Sequence, residues 1–188
     1  MGTVVAASRH LTDPARPFTR AERRRLTRRD ALSARLAELH GIRELLSDAT
    51  EVLGHGWVQN AWFAVATPRG ERLLTAHEVR QVYEYPVTGA CLAGSIVLAA
   101  GGPNQARTQP VQRTLDLAWH ALRDDPEPPA VLCPSPPVRT MRLLDLTRWN
   151  DAPGRTRTEA LNLLRTAGHL ADLHEDTCRR DRAETLVV

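Results

Sequence analysis

The sequence contains no lysine: all 25 basic residues among its 188 are arginine. Together with abundant Ala, Leu, Pro and Gly, this is the signature of a GC-rich gene, so arginine is not read as chosen over lysine for its fork geometry. Aromatic residues are scarce, with four Trp, two Tyr and two Phe, and each large ring must carry a large share of any core. Three cysteines, Cys91, Cys133 and Cys178, make an odd number at unrelated spacings. That excludes a disulfide framework and fits a reducing compartment. No run approaches the roughly 20 apolar residues that would span a bilayer. Met1 to His10 lacks the charged start and long apolar block of an export signal. A soluble, cytoplasmic protein with no membrane partner is expected.

What is present suffices for one core. Hydrophobic residues make up 42% of the chain, an ordinary globular share that excludes a collagenous or wholly disordered polymer. Charge is unevenly placed: residues 1–30 hold eight Arg against Asp13, Glu22 and Asp30, net +5, whereas residues 31–188 hold 17 Arg against 19 acids, net −2. The reading is a basic N-terminal arm (1–30), a single helical domain (31–173) containing a Pro-rich loop (124–137), and a polar tail (174–188) that frays.

Thr19-Arg20-Ala21-Glu22 is a capping box, so a helix is expected to begin near Arg20. Leucines and valines from Leu32 to Leu53 then return at three- and four-residue intervals, with Gly41 read as a break and Gly54 as the stop. The aromatic and branched run Trp57 to Val65, closed by Pro68-Arg69-Gly70, predicts a hairpin or an irregular wall. Arg80 to Tyr85 is a further strand candidate. Cys91 to Ala100 reads as a buried helix with small residues inside it. Pro110 suits the first turn of another helix, on which Val111, Leu115, Ala118, Trp119 and Leu122 share a face. Six prolines within 124–137 exclude a regular element there. Met141 to Leu146 predicts a short helix ending before Trp149, and Thr156 to Glu159 repeats the capping box ahead of a last helix carrying Leu161, Leu164, Ala167, Ala171 and Leu173. The expected fold is mainly α: a compact helical domain with a short β-hairpin or irregular insertion between the first and second core helices.

Gly56-Trp57-Val58-Gln59, Cys91-Leu92-Ala93-Gly94-Ser95-Ile96 with Ala99-Ala100, Trp149-Asn150-Asp151, a threonine at 156 or 158 and a Leu-rich helix follow one another in this order. The combination resembles a family of small actinobacterial proteins known only as a domain of unknown function, over roughly Leu39 to Ala171. The resemblance implies an intracellular, mostly helical domain and supplies no activity. The chain departs from that pattern in the basic arm, the long connection from Gln59 to Cys91 and the Pro-rich stretch before Met141, where a specialised role is expected to reside.

Each chemical reading has a structural counterpart. Cys91 at a helix start is a candidate nucleophile, since N-terminal amides stabilise a thiolate; a small buried cysteine explains the same residue. The order Cys91, His120, Asn150 or Asp151 imitates a thiol-enzyme set, but seven histidines make such an order easy to obtain by chance. Asp151 beside Trp149 is a candidate base, and equally a turn residue. Trp57, Gln59, Asn60, Trp149 and Asn150 are candidate ligand contacts around an apolar pocket, or core rings with their polar neighbours. His169, His174 and Cys178 lack the spacing of a metal site, and neither a metal nor a cofactor is expected. Arg20, Arg23, Arg24, Arg25, Arg28 and Arg29 suit an acidic partner or a phosphate backbone, or simply a solvated helix end. The leading expectation is a small binding or regulatory module with an apolar pocket or groove, taking a small molecule or an acidic protein and using the arm for the acidic partner. The alternatives are a small cysteine- or carboxylate-dependent enzyme of a specialised biosynthetic pathway, and non-specific nucleic-acid binding through the arm.

Overall fold

The Thr19 hydroxyl accepts the Glu22 amide and the Glu22 carboxylate accepts the Thr19 amide, satisfying two orphan donors and opening helix α1, Arg20–His55. The computed structural model describes residues 18–123 and 134–187; residues 1–17 of the arm and 124–133 of the Pro-rich loop, including Cys133, lie outside it. Helix α1 passes through Gly41 and ends at Gly56 rather than breaking at Gly41 and stopping at Gly54. A glycine inside a helix costs about 1 kcal/mol relative to alanine. Burial of Leu39, Ile42, Leu45 and Leu46 on either side outweighs it.

Next come β1 (Phe63–Thr67) and β2 (Gly70–Leu74), an antiparallel hairpin with Phe63 opposite Leu74. The hairpin expected between the first two core helices is present, and β3 (Val87–Ala90) adds to its other side with Phe63 opposite Ala90, giving the order β2-β1-β3. The strand expected at Arg80 to Tyr85 is instead a 3₁₀ turn, Val79–Tyr83. Its entry is turned by Glu78, which accepts the Thr75 amide and hydroxyl, and the free edge of β1 is already taken by β3.

Helix α2, Leu92–Ala99, is buried on every side from Leu92 to Val97 and is enclosed by α1, α3 and α4. Helix α3, Gln109–Leu122, has Pro110 in its first turn and buries Val111, Leu115 and Ala118, with Trp119 and Leu122 half-buried. Helix α4, Pro136–Asp151, corrects two expectations. Pro136 and Pro137 belong to its first turn, where a missing N–H costs nothing. It also continues through Trp149, Asn150 and Asp151 and stops only at Ala152, held extended ahead of Pro153.

The second capping box forms, with Thr156 and Glu159 bonded reciprocally, and opens α5, Arg157–Val187. Residues 174 onward do not fray as expected: the helix continues, with His174, Glu175 and Cys178 buried. Leu173, expected on the buried face, is 46% exposed. Helices α1 and α5 run antiparallel, because Arg43 pairs with Asp172 and Glu175 while Arg24, Arg25 and Arg28 share a cleft with Glu184 and Thr185. Positions 30/31 and 173/174 both fall inside these two helices.

Candidate functional site

The site is built at the start of α2. A helix begins with amides that have no partner of their own, and here two other segments of the chain help to supply the acceptors. The Cys91 sulfur, at the N-cap, accepts the Gly94 amide at 3.2 Å. The Leu92 amide donates to Asn150 Oδ1 at 3.1 Å, from the last turn of α4. The same oxygen accepts the Trp57 indole N–H at 2.8 Å. Asn150 Nδ2 donates to the Val58 carbonyl at 3.1 Å and to Asp151 Oδ1 at 2.8 Å. A primary amide offers two acceptor and two donor places, and all four are used by a side chain only 1% exposed.

Gln59 and Asn60 close the knot from the other side. Gln59 Nε2 donates to the carbonyls of Asn150 at 2.9 Å and Ala152 at 3.1 Å. The Asn60 amide donates to Asp151 Oδ1 at 2.9 Å, with Asn60 itself left-handed at φ 58°. Trp149 lies beside this hub under the guanidinium of Arg155, 4.1 Å from the ring centre, and Arg155 Nε also donates to the Trp149 carbonyl. Close approach is secured by two glycines: a Cβ on Gly56 would meet the Thr88 carbonyl, and one on Gly94 would meet the Trp62 carbonyl.

The structure therefore brings together Trp57, Gln59, Asn60, Cys91, Asn150 and Asp151, with Trp149 at the edge. Their polar atoms face one another, and none of the five cavities described is lined by any of them. Burial pushes the Cys91 thiol up to about 12, the Asp151 carboxylate adding to that rise and the Gly94 amide opposing it. Cys91 is 2% exposed, so at neutral pH the group at this helix start is a protonated, enclosed thiol. His120 is not among the groups acting on it. That histidine lies buried on α3, edge-on to Trp119 at 5.1 Å, and acts instead on His174.

Several partners in this knot were not among the expected residues: Arg155, the Leu92 amide and the Val58 carbonyl. Two are main-chain groups carrying no residue-type signal, and Arg155 is one arginine among many. Among the described residues, no group of three or more His, Cys, Asp or Glu side chains could hold a metal ion, and no helix is long and apolar enough to cross a membrane.

The six arginines occupy the first three turns of α1, all exposed. At about 100° per residue they are spread around about two thirds of the helix circumference; half-buried Leu26 occupies the remaining third. Arg24, Arg25 and Arg28 line an open cleft of about 400 Å³ with Glu184 and Thr185 of α5.

No curated protein and no solved structure matches this chain. A family model does match, over residues 37–170. That span takes in the Gly56–Gln59, Cys91–Ile96 and Trp149–Asp151 blocks joined by the hub and leaves out the arginine-bearing turns of α1. The chain belongs to this family, the family of unknown function DUF6197.

Proposed function

We propose that this protein is a small binding module that meets an acidic protein partner through the arginine-bearing end of the α1–α5 hairpin. One observation carries the reading. At the three-segment hub the Asn150 amide is spent on its neighbours and Cys91 is enclosed, whereas at the start of α1 no ion pair within 4.0 Å holds Arg23, Arg24 or Arg28 to another described residue. Between Arg20 and Asp30 the helix sets six arginines against two acids, Glu22 and Asp30, and Glu184 of α5 joins them across the cleft. Guanidinium forks pair with carboxylates through two parallel hydrogen bonds. Catalysis by Cys91 has no comparable support, because its thiol is protonated and enclosed.

The test uses poly-L-glutamate and duplex DNA as probes, with fluorescence anisotropy at low and physiological salt. The whole protein is expected to bind poly-L-glutamate, and Arg24→Glu/Arg25→Glu/Arg28→Glu to weaken that binding by about tenfold or more with an unchanged circular dichroism spectrum. Binding to DNA but not to poly-L-glutamate overturns the reading in favour of a nucleic-acid partner. Poly-L-glutamate binding that survives the triple reversal overturns the location.

A further inference from the structure

A cavity of about 470 Å³ opens between the start of α3 and the start of α4, walled by Ala106, Arg107, Gln112, Arg139, Thr140 and Leu143 among others. Its volume lies within the range of small-molecule sites. The other four cavities described each carry a carboxylate: Asp176, Glu184, Glu71, and Glu51 with Asp172. Among the described residues, this one carries none and holds two arginines.

Among the described residues, neither guanidinium is neutralised. No ion pair holds Arg107 or Arg139 to a described residue, and Arg139 Nε is shielded from solvent with no hydrogen-bond partner. A buried N–H left unmade is costly; Arg139 as a whole is half-buried at this wall, and Arg107 is exposed. The two helix starts increase the imbalance. Helices α1 and α5 open on Thr-Glu boxes that set a carboxylate at the positive end of the helix dipole. Helices α3 and α4 have no acid in the first turn, and neither the Thr108 nor the Ser135 side chain caps an amide of the helix it opens, the Thr108 hydroxyl donating instead to the Gln105 carbonyl. Arg107 precedes the first, and Arg139 lies in the opening turn of the second. The wall is also braced: Gln112 Nε2 donates to the Ala106 carbonyl, fixing the backbone next to Arg107, and Thr140 Oγ1 donates to the Pro136 carbonyl.

We infer that this cavity binds a small anionic ligand through an oxyanion group, a compact phosphate ester or polycarboxylate gripped between Arg107 and Arg139. Two cations at two helix starts, with no counter-charge among the described residues, are the arrangement that a bound oxyanion completes. The site shares no residue with the α1–α5 cleft and stands whether or not that cleft binds an acidic protein.

The experiment is isothermal titration and thermal unfolding of the whole protein with inorganic phosphate and with citrate, sodium chloride keeping ionic strength constant. A saturable rise in melting temperature is expected with at least one of the two anions, and which one responds assigns the phosphate or the carboxylate class. Measured in the Arg24→Glu/Arg25→Glu/Arg28→Glu background, so that the α1–α5 cleft does not contribute, Arg107→Gln and Arg139→Gln are each expected to weaken the response by about tenfold or more. Thr140→Glu, which brings a carboxylate to the wall without removing an arginine, is expected to abolish it. No saturable response to either anion, or an undiminished response in the Arg107→Gln/Arg139→Gln double variant or in Thr140→Glu, overturns the site.

Discussion

Trp57 and Asn150, 93 residues apart in sequence, meet in a 2.8 Å hydrogen bond in which the indole N–H donates to the amide oxygen. With the Leu92 amide on the same oxygen, one buried side chain ties the entry to the sheet, the start of α2 and the end of α4. Asn150→Ala leaves two donors and the Val58 carbonyl without partners and is expected to lower the unfolding free energy by about 3–5 kcal/mol. Asn150→Asp, which sets an acceptor against the Val58 carbonyl and Asp151, should cost at least as much at neutral pH. Urea denaturation measures both, and a loss under about 1 kcal/mol would remove the hub from the account of stability.

Cys91 should behave as a cap. Native protein is expected to resist iodoacetamide at Cys91 up to about pH 9 and to be alkylated there only once urea unfolds it; peptide mapping separates this thiol from Cys133 and Cys178. Because folding raises this thiol's pKa, its contribution to stability is complete below the ordinary thiol range and is lost as pH rises through and above it. Rapid alkylation of folded protein at neutral pH would restore the nucleophile reading.

Glycine positions divide into two groups with opposite expected signs. Gly94→Ala and Gly56→Ala drive a methyl into the Trp62 and Thr88 carbonyls and should destabilise by about 2–4 kcal/mol. Gly41 and Gly168 sit within helices with nothing within 4 Å of an added Cβ. Gly41→Ala and Gly168→Ala are therefore expected to stabilise by about 0.5–1 kcal/mol. Melting temperatures of the four variants decide the matter.

These glycines also mark what the sequence could reveal. Capping boxes are local chemistry, and both helix starts at Thr19 and Thr156 were readable from four residues each. A compact apolar run located α2, and Pro110 with one apolar face located α3. The continuation of α4 through Asp151 and of α5 beyond His174 was not readable, because each depends on partners far along the chain: Trp57, Val58 and Gln59 for Asn150, and Arg43 for Glu175. Gly41 misled for the same reason, since the burial that carries α1 through this position belongs to its packing on α5, α2 and α3. At the candidate site, the meeting of the Trp57–Asn60, Cys91 and Trp149–Asp151 segments was legible, but the place of His120 beside His174 and the exhaustion of Asn150's hydrogen-bonding places were not. The latter is a matter of geometry at main-chain atoms.

His174 gives the fold a pH dependence of known sign. It is buried on α5 with Nδ1 unpartnered, facing Arg35 of α1 and His120 of α3; burial first, then Arg35 and His120, hold its pKa below the ordinary histidine value of 6.5. The unfolded chain therefore takes up this proton before the folded one does. The contribution is complete above about pH 6.5 and declines as pH falls from there towards the folded value. Urea midpoints across this window should fall with acidity in the native protein and fall less steeply in His174→Gln; parallel slopes would refute the assignment.

The antiparallel course of α1 and α5 carries a practical consequence. Residues 20 and 187 leave the helices at the same pole, where Arg24, Arg25 and Arg28 stand beside Glu184 and Thr185. A label fused directly before residue 20 or directly after residue 187 would start beside those arginines, and an acidic one is expected to compete for them. Assays of that pole call for cleaved protein, or for labels carried on the exposed turn at Pro68 and Arg69.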